Sequence, residues 1–389
     1  MAATKPKIAF VIQRYGLEIN GGAEFLCQKL AERMAKIWEI EIITTCANNY
    51  QTWENYYQPG AENINGIKVK RFSNDLRDLK KYEEASKALY QSNHPVSWAE
   101  FRQWGREAGP FSQELFDYIK TNAQNYDFFF FFTYAYATTL FGLELVAEKS
   151  FLVPFAHDDF LINLSVLENF FALPRAIIFS SPSEKRLLGQ KFPNLNLKGE
   201  LGGIGIDLPK NISPINFQKK YGLDGNYLLY LGRVDVGKNC QKLIDYFLQY
   251  LAETGRDLKL VLVGQIYMPT SNHPSILMPG FISEAEKNEA LAGCLAVINP
   301  SIYESLSLIL LEAWSFNCPT LVDAKCATTV DQSKRSQCGL WYNNYEEFKL
   351  GLEYIINHPD LAKNGQKFIR QNYSWEKIIS AYQKVIENY

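Results

Sequence analysis

DFFFFFT, Asp127–Thr133, sets five phenylalanines in a row. A strand with one wet face alternates apolar and polar residues, so an unbroken apolar run marks a strand covered on both faces, as in a parallel sheet flanked by helices. Five further runs share its half of the chain: KIAFVIQ (7–13), EIEIITTC (39–46), IKVKRF (67–72), FLVPFA (151–156) and AIIFSS (176–181). A Pro-containing stretch with loop chemistry, GGIGIDLPKNISPINF (202–217), follows them. Beyond it come YLLYLG (227–232), LKLVLVG (258–264), AVINPS (296–301) and PTLVDA (319–324). Helical patterns alternate with them at Lys238–Thr254, Ser283–Ala292, Leu306–Phe316 and Tyr345–Ile356.

Strand and helix alternating twice over predict an α/β chain with two doubly wound domains and a hinge near 203–217. The expected domains are 1–205 and 206–372, with a terminal helix over 373–389 capped by Ser374. Residues 74–125 are charged, aromatic and helical in period, which reads as an insertion on the first domain.

A length of 389 residues fits two domains of ordinary size. Forty basic against 42 acidic side chains give no global attraction to nucleic acid or anionic lipid, so an anionic ligand must be held by local groups. The seven cysteines are odd in number and never form C-x-x-C, which favours free thiols in the cytoplasm over disulfides or zinc. The apolar run before Gln13 is too short for a signal peptide, and no stretch approaches the length of a membrane span.

In doubly wound sheets ligands bind at the carboxyl ends of strands. After the first run, Gly21 and Gly22 precede a helix, where a phosphate can approach backbone N–H groups, although taken alone two glycines before a helix are more often a turn. The spacing is not G-x-G-x-x-G and no acid closes the second strand, so the dinucleotide fingerprint is absent. His157 ends FLVPFA with no second His or Cys nearby to make a metal set. Arg233 and Lys238 follow YLLYLG and can converge on one polyanion, or be solvated surface cations. In YESLSLILLEAW (303–314), a helix opening at Leu306 leaves Glu304 in the loop and puts Glu312 two turns in. The N–H groups of Leu306, Ser307 and Leu308 would then be free for a phosphate.

The ordered set resembles the GT-B glycosyltransferases of the large retaining family numbered four, glycosyl transferases group 1. It comprises Glu304-x7-Glu312, Gly232-Arg233-x4-Lys238, GGAE (21–24), AHD (156–158), GGIGID (202–207), LVLVG (260–264), PGFIS (279–283) and YSWEKI (373–378). The resemblance implies two Rossmann-like domains facing a cleft, with the terminal helix packed back on the first. It also implies a hexosyltransferase-type enzyme moving sugar from a nucleotide diphosphate sugar to a glycan or lipid-linked acceptor, with retained configuration and neither metal nor cofactor. Peripheral contact with the inner face of a membrane would go with a lipid-linked acceptor.

By the same resemblance, Arg233 and Lys238 hold the diphosphate, Glu304 the donor sugar and Glu312 the ribose. Gly280 and Phe281 meet the base, Gly21 or Gly22 the phosphates, and His157 lies beside the sugar. Acceptor contacts are expected from Tyr134, Tyr136 and Trp104. Where the family shows E-x-F-G, this chain has Ser305, Leu306 and Ser307, so a serine stands where a glycine backbone approaches phosphate. A non-catalytic glycan- or partner-binding protein, an epimerase or a phosphorylase on the same fold are the alternatives.

Overall fold

The computed structural model describes residues 5–19, 21–210, 212–223, 226–269 and 271–389; Asn211, in the expected hinge, lies outside them. The chain forms two compact units, Met1–Ile204 with Ile378–Tyr389, and Gly205–Lys377.

The first unit carries β1 (Lys7–Val11), β2 (Glu39–Thr45), β3 (Gly60–Ile64), β4 (Ile67–Phe72), β5 (Phe128–Phe132), β6 (Ser150–Val153), β7 (Ala176–Phe179) and β8 (Gly199–Leu201). They make one sheet in the order β3-β4-β2-β1-β5-β6-β7-β8, parallel except for the β3–β4 hairpin. The phenylalanine run is β5, near the sheet centre, and packs both ways. Phe129 and Phe131 enter a cluster with Leu115, Ile119 and Leu140, while Phe130 and Phe132 meet Phe10 and Phe130 also meets Phe151 and Tyr382. Burying each phenyl ring contributes roughly 1.5–3 kcal/mol.

Three helices fill the segment between β4 and β5: Leu79–Tyr90, Trp98–Ala108 and Gln113–Asn122. Asp78, Ser97 and Ser112 cap them, each accepting from a backbone N–H of the first turn. The terminal helix, Trp375–Asn388, starts where Ser374 Oγ accepts from Lys377 N–H at 3.3 Å. Tyr382 of this helix is fully buried beside Phe130.

The second unit carries β9 (Tyr227–Leu231), β10 (Lys259–Val263), β11 (Ile276–Gly280), β12 (Ala296–Asn299), β13 (Thr320–Asp323) and β14 (Gly339–Tyr342). All pair in parallel in the order β11-β10-β9-β12-β13-β14. Both sheets are thus doubly wound, as the apolar runs predict. The strands the pattern misses, β3, β8, β11 and β14, all sit at or beside sheet edges. An edge strand is short or half solvated: β3 and β8 each carry an acid, and β11 and β14 are short apolar runs bounded by Pro or Gly. β3, GAENI, is exposed along four of its five residues and is set by the Asn65–Gly66 turn, whose φ angles of 51° and 82° suit Asn and Gly.

Candidate donor-binding site

In the second unit the carboxyl ends of β9, β10 and β11 close on each other. Gly264 N–H donates to Gly280 O at 2.9 Å, and a Cβ on Gly264 would stand 1.9 Å from Gly232 O, so only glycine fits there. The loop after β9 is organised by Asp235. Its Oδ1 accepts from Lys238 N–H at 2.7 Å, and its Oδ2 lies 3.5 Å from Arg233 Nη1. Tyr230 Oη donates to Arg233 O at 2.6 Å and fixes the loop's start. Arg233 and Lys238 therefore belong to one braced loop.

Lys238 Nζ reaches across to the loop after β12 and meets Glu304 Oε1 at 2.7 Å, with Ser301 Oγ at 3.4 Å. The sequence elements that carry Lys238 and Glu304 are brought together by the adjacency of β9 and β12. Glu312 pairs elsewhere: Lys287 Nζ, from helix Glu284–Gly293, lies 2.8 Å from its Oε1 and 3.0 Å from Glu284. Burial alone would lower the Lys287 pKa, but the charges of Glu312 and Glu284 outweigh it and raise it.

Two expectations about YESLSLILLEAW change. The helix opens at Leu308, not Leu306, with Ser307 as its N-cap residue. Leu306 is buried, consistent with a packed turn residue that closes the loop ahead of the helix. The Ser307 N–H is also not open to a phosphate, because it donates to Gln332 Oε1 at 3.0 Å. Phe281 is 65% exposed just past β11, so its face is accessible for stacking.

In the first unit, Gly21 caps helix Gly22–Met34, and nothing stands within 4 Å of where a Gly22 Cβ would be. Beneath it lies a cluster that sequence reading misses. Glu24 Oε1 accepts from Arg14 Nε at 2.9 Å, Arg14 Nη2 at 2.5 Å and Gln13 Nε2 at 3.0 Å. Thr133 Oγ1 donates to Gln13 Oε1 at 2.7 Å and ties the cluster to the end of β5.

His157 follows β6, with Nε2 3.2 Å from Asp159 Oδ2. Burial works to raise the Asp159 carboxyl, yet His157 holds it below its usual value. The turn is anchored from below by Glu184, whose two oxygens accept from Ala156 N–H and Ser180 N–H. Burial pushes the Glu184 carboxyl up to about 7, against those two N–H groups.

Of the expected acceptor contacts, Trp104 is a core residue: it is 4% exposed, stacks on Phe101 and donates to Ser86 Oγ at 3.2 Å. Tyr134 is likewise buried, against Phe171. Both fill the hydrophobic face beneath the strand ends, so their rings are not open to a sugar. Tyr136 is half-buried and edge-on to Trp53 at 5.5 Å. Trp53, Asp75, Arg77, Arg106 and Phe111 line a cavity of about 270 Å³ at the carboxyl ends of β2 and β4. Among the described residues, no group of three or more His, Cys, Asp or Glu is placed to hold a metal ion, and no helix is long and apolar enough to cross a membrane.

Residues 213–375 match the family described as Glycosyl transferases group 1. An uncharacterized glycosyltransferase of Methanocaldococcus jannaschii is 22% identical over 96% of this chain and 95% of its own. Sucrose-phosphate synthase from Thermosynechococcus elongatus superposes with a TM-score of 0.73 at 16% identity, covering 99% of both chains. Anabaena HepE in complex with UDP-glucose gives a TM-score of 0.67 at 16% identity, over 98% of this chain and 99% of that one. Fold and strand-end site together define a two-domain protein of the GT-B class. Within that class, the similarity to glycosyl transferases group 1 lies in residues 213–375, and the Methanocaldococcus jannaschii relative matches along nearly its whole length.

Proposed function

We propose that the chain transfers a sugar from a nucleotide diphosphate sugar to a glycan or lipid-linked acceptor, with retained configuration. Cationic side chains, rather than a divalent ion, offset the charge of the departing diphosphate. The observation that carries this reading is the Lys238–Glu304 pair at 2.7 Å beside Arg233. A lysine and a carboxylate that neutralise each other in the free protein can both change partner when the donor arrives. Lys238 turns to the diphosphate, Arg233 clamps it, and Glu304 accepts from the sugar hydroxyls. Glu312 takes the ribose hydroxyls, Phe281 stacks on the base, and His157 bonds a sugar hydroxyl or phosphate oxygen. The UDP-glucose held by HepE makes UDP-sugars the first donors to try.

The cavity beside Trp53 has three acids and three bases among its lining residues, a balance that suits a neutral polyhydroxyl acceptor better than an anion. Seven free thiols fit a reducing compartment, the cytoplasm.

The test is turnover and calorimetric binding with UDP-, GDP- and ADP-sugars in the presence of a chelator, with the product anomer read by NMR. Arg233→Ala and Lys238→Ala should each lower turnover by about 10²–10³-fold. Absence of nucleotide binding, an inverted product, or full activity in both variants would overturn the proposal.

A further inference from the structure

Ser307 is held from three directions by buried side chains. Its N–H donates to Gln332 Oε1 at 3.0 Å, its carbonyl accepts from Gln332 Nε2 at 3.2 Å, and its hydroxyl accepts from Asn299 Nδ2 at 3.0 Å. Asn299 also accepts from Ser301 N–H at 3.0 Å through Oδ1, so its amide spans the loop that carries Glu304. Gln332 is 1% exposed, Ser307 2% and Asn299 4%. Gln332 belongs to helix Ala327–Ser336, which follows β13, and Asn299 closes β12. Two separate elements therefore fix the main chain one residue before the helix Leu308–Ser315 begins.

We infer that Gln332 is a positioning residue for the turn that receives the donor diphosphate, an inference that rests on the donor reading above. A side-chain amide presents one acceptor and one donor side by side, which is what the N–H and C=O of a single residue require. Because that N–H is committed to Gln332, the phosphates draw on Arg233, Lys238 and the helix N–H groups from Leu308 onward. Ser307 replaces a small residue without hindering this arrangement, since its hydroxyl points to Asn299 and its peptide to Gln332. Removing the Gln332 amide leaves a buried donor and a buried acceptor unmet. The peptide then rotates to find other partners and carries with it Glu304, three residues before, and Leu308, one residue after.

The experiment compares wild type, Gln332→Met and Gln332→Glu by calorimetric titration with UDP, GDP and ADP, and by kcat and KM for the donor that turns over. Gln332→Met, which loses both bonds, should weaken nucleoside diphosphate binding about tenfold or more and raise donor KM in step, with kcat changed less. Gln332→Glu keeps the acceptor for the Ser307 N–H and should fall between. A purely structural role would lower the melting temperature while leaving the dissociation constant of the folded fraction unchanged, and that result overturns the inference. Hydrogen exchange on wild type needs no variant: the Ser307 amide should be protected with and without nucleotide, and the Leu308 amide should gain protection on binding. A Ser307 amide that exchanges freely until nucleotide is added also overturns it. If wild type binds no nucleoside diphosphate at all, the donor reading itself fails, a result distinct from equal binding by all three proteins.

Discussion

Each unit places carboxylates at the carboxyl ends of its strands, yet the two sets are held differently. In the first unit, Glu24 accepts from three donors of Arg14 and Gln13, and Glu184 accepts from two backbone N–H groups; both are almost fully buried. In the second unit, Glu304 and Glu312 each face one lysine and keep 18–19% of their side-chain surface in contact with solvent. A buried carboxylate that several buried donors share is a brace, because moving it strands those donors. A carboxylate held by one flexible ammonium can exchange that partner for a ligand at little cost. The contrast separates acids committed to the scaffold from acids that can change partner, without reference to any motif.

Its sharpest break-point is Glu24→Ala against Glu304→Ala. The first leaves the Arg14 guanidinium, 9% exposed, without its carboxylate and should lower unfolding free energy by about 3–5 kcal/mol. The second leaves Lys238, 25% exposed and flexible enough to turn to water, and should change stability by no more than about 1 kcal/mol while abolishing transfer. Urea titrations of both variants measure this. Equal destabilisation by the two would erase the distinction.

Glu184 tests the brace from its protonation. Its carboxyl rises from an ordinary 4.5 to about 7 on folding, chiefly through burial. A group whose folded pKa is raised stabilises fully below its unfolded value and loses that contribution as pH climbs through the folded one. Between pH 4.5 and about 7, wild type should therefore lose stability relative to Glu184→Gln, by at most about 3 kcal/mol, and the difference should be flat above. His157 works against burial by favouring the ionised Glu184 carboxyl, so its charge is part of what the comparison reads. Unfolding free energies at pH 5 and pH 8 supply the comparison, and a difference that does not vary with pH would show that Glu184 does not titrate in this range.

The same contrast explains how much could be read from the sequence. Apolar runs such as the five phenylalanines show a central parallel strand because both faces must be covered, whereas β3 is exposed along four of five residues and leaves no such run, and β14 is too short to stand out. Arg233, Lys238 and Glu304 stand out in the sequence as charges just past apolar runs, and Glu312 by its spacing from Glu304. Gln332 and Lys287 are not legible: each reaches its partner from another helix, and no local period registers that. Trp104 and Tyr134 show the opposite error, since an aromatic near a strand end reads the same whether it faces a sugar or the core.

Lys287→Met asks whether a ligand acid needs its lysine at all. The lysine bonds both Glu312 and Glu284 and keeps 16% of its side chain exposed, so a methionine of similar length preserves the packing while removing the charge and those two bonds. If Glu312 receives ribose hydroxyls, the lysine restricts where its carboxylate can point, leaving Oε2 for the ribose while Oε1 stays bonded to Nζ. Without that restraint, binding should weaken by about 1 kcal/mol, roughly fivefold in donor KM, with kcat unchanged. The ribose itself gives the readout: 2′-deoxy-UDP should bind wild type less tightly than UDP, Glu312→Gln should narrow that gap most, and Lys287→Met should narrow it partway. A Lys287→Met protein that binds UDP more tightly than wild type would mean the lysine competes with ribose for Glu312, and the pair would then be a latch that opens on binding and not a guide.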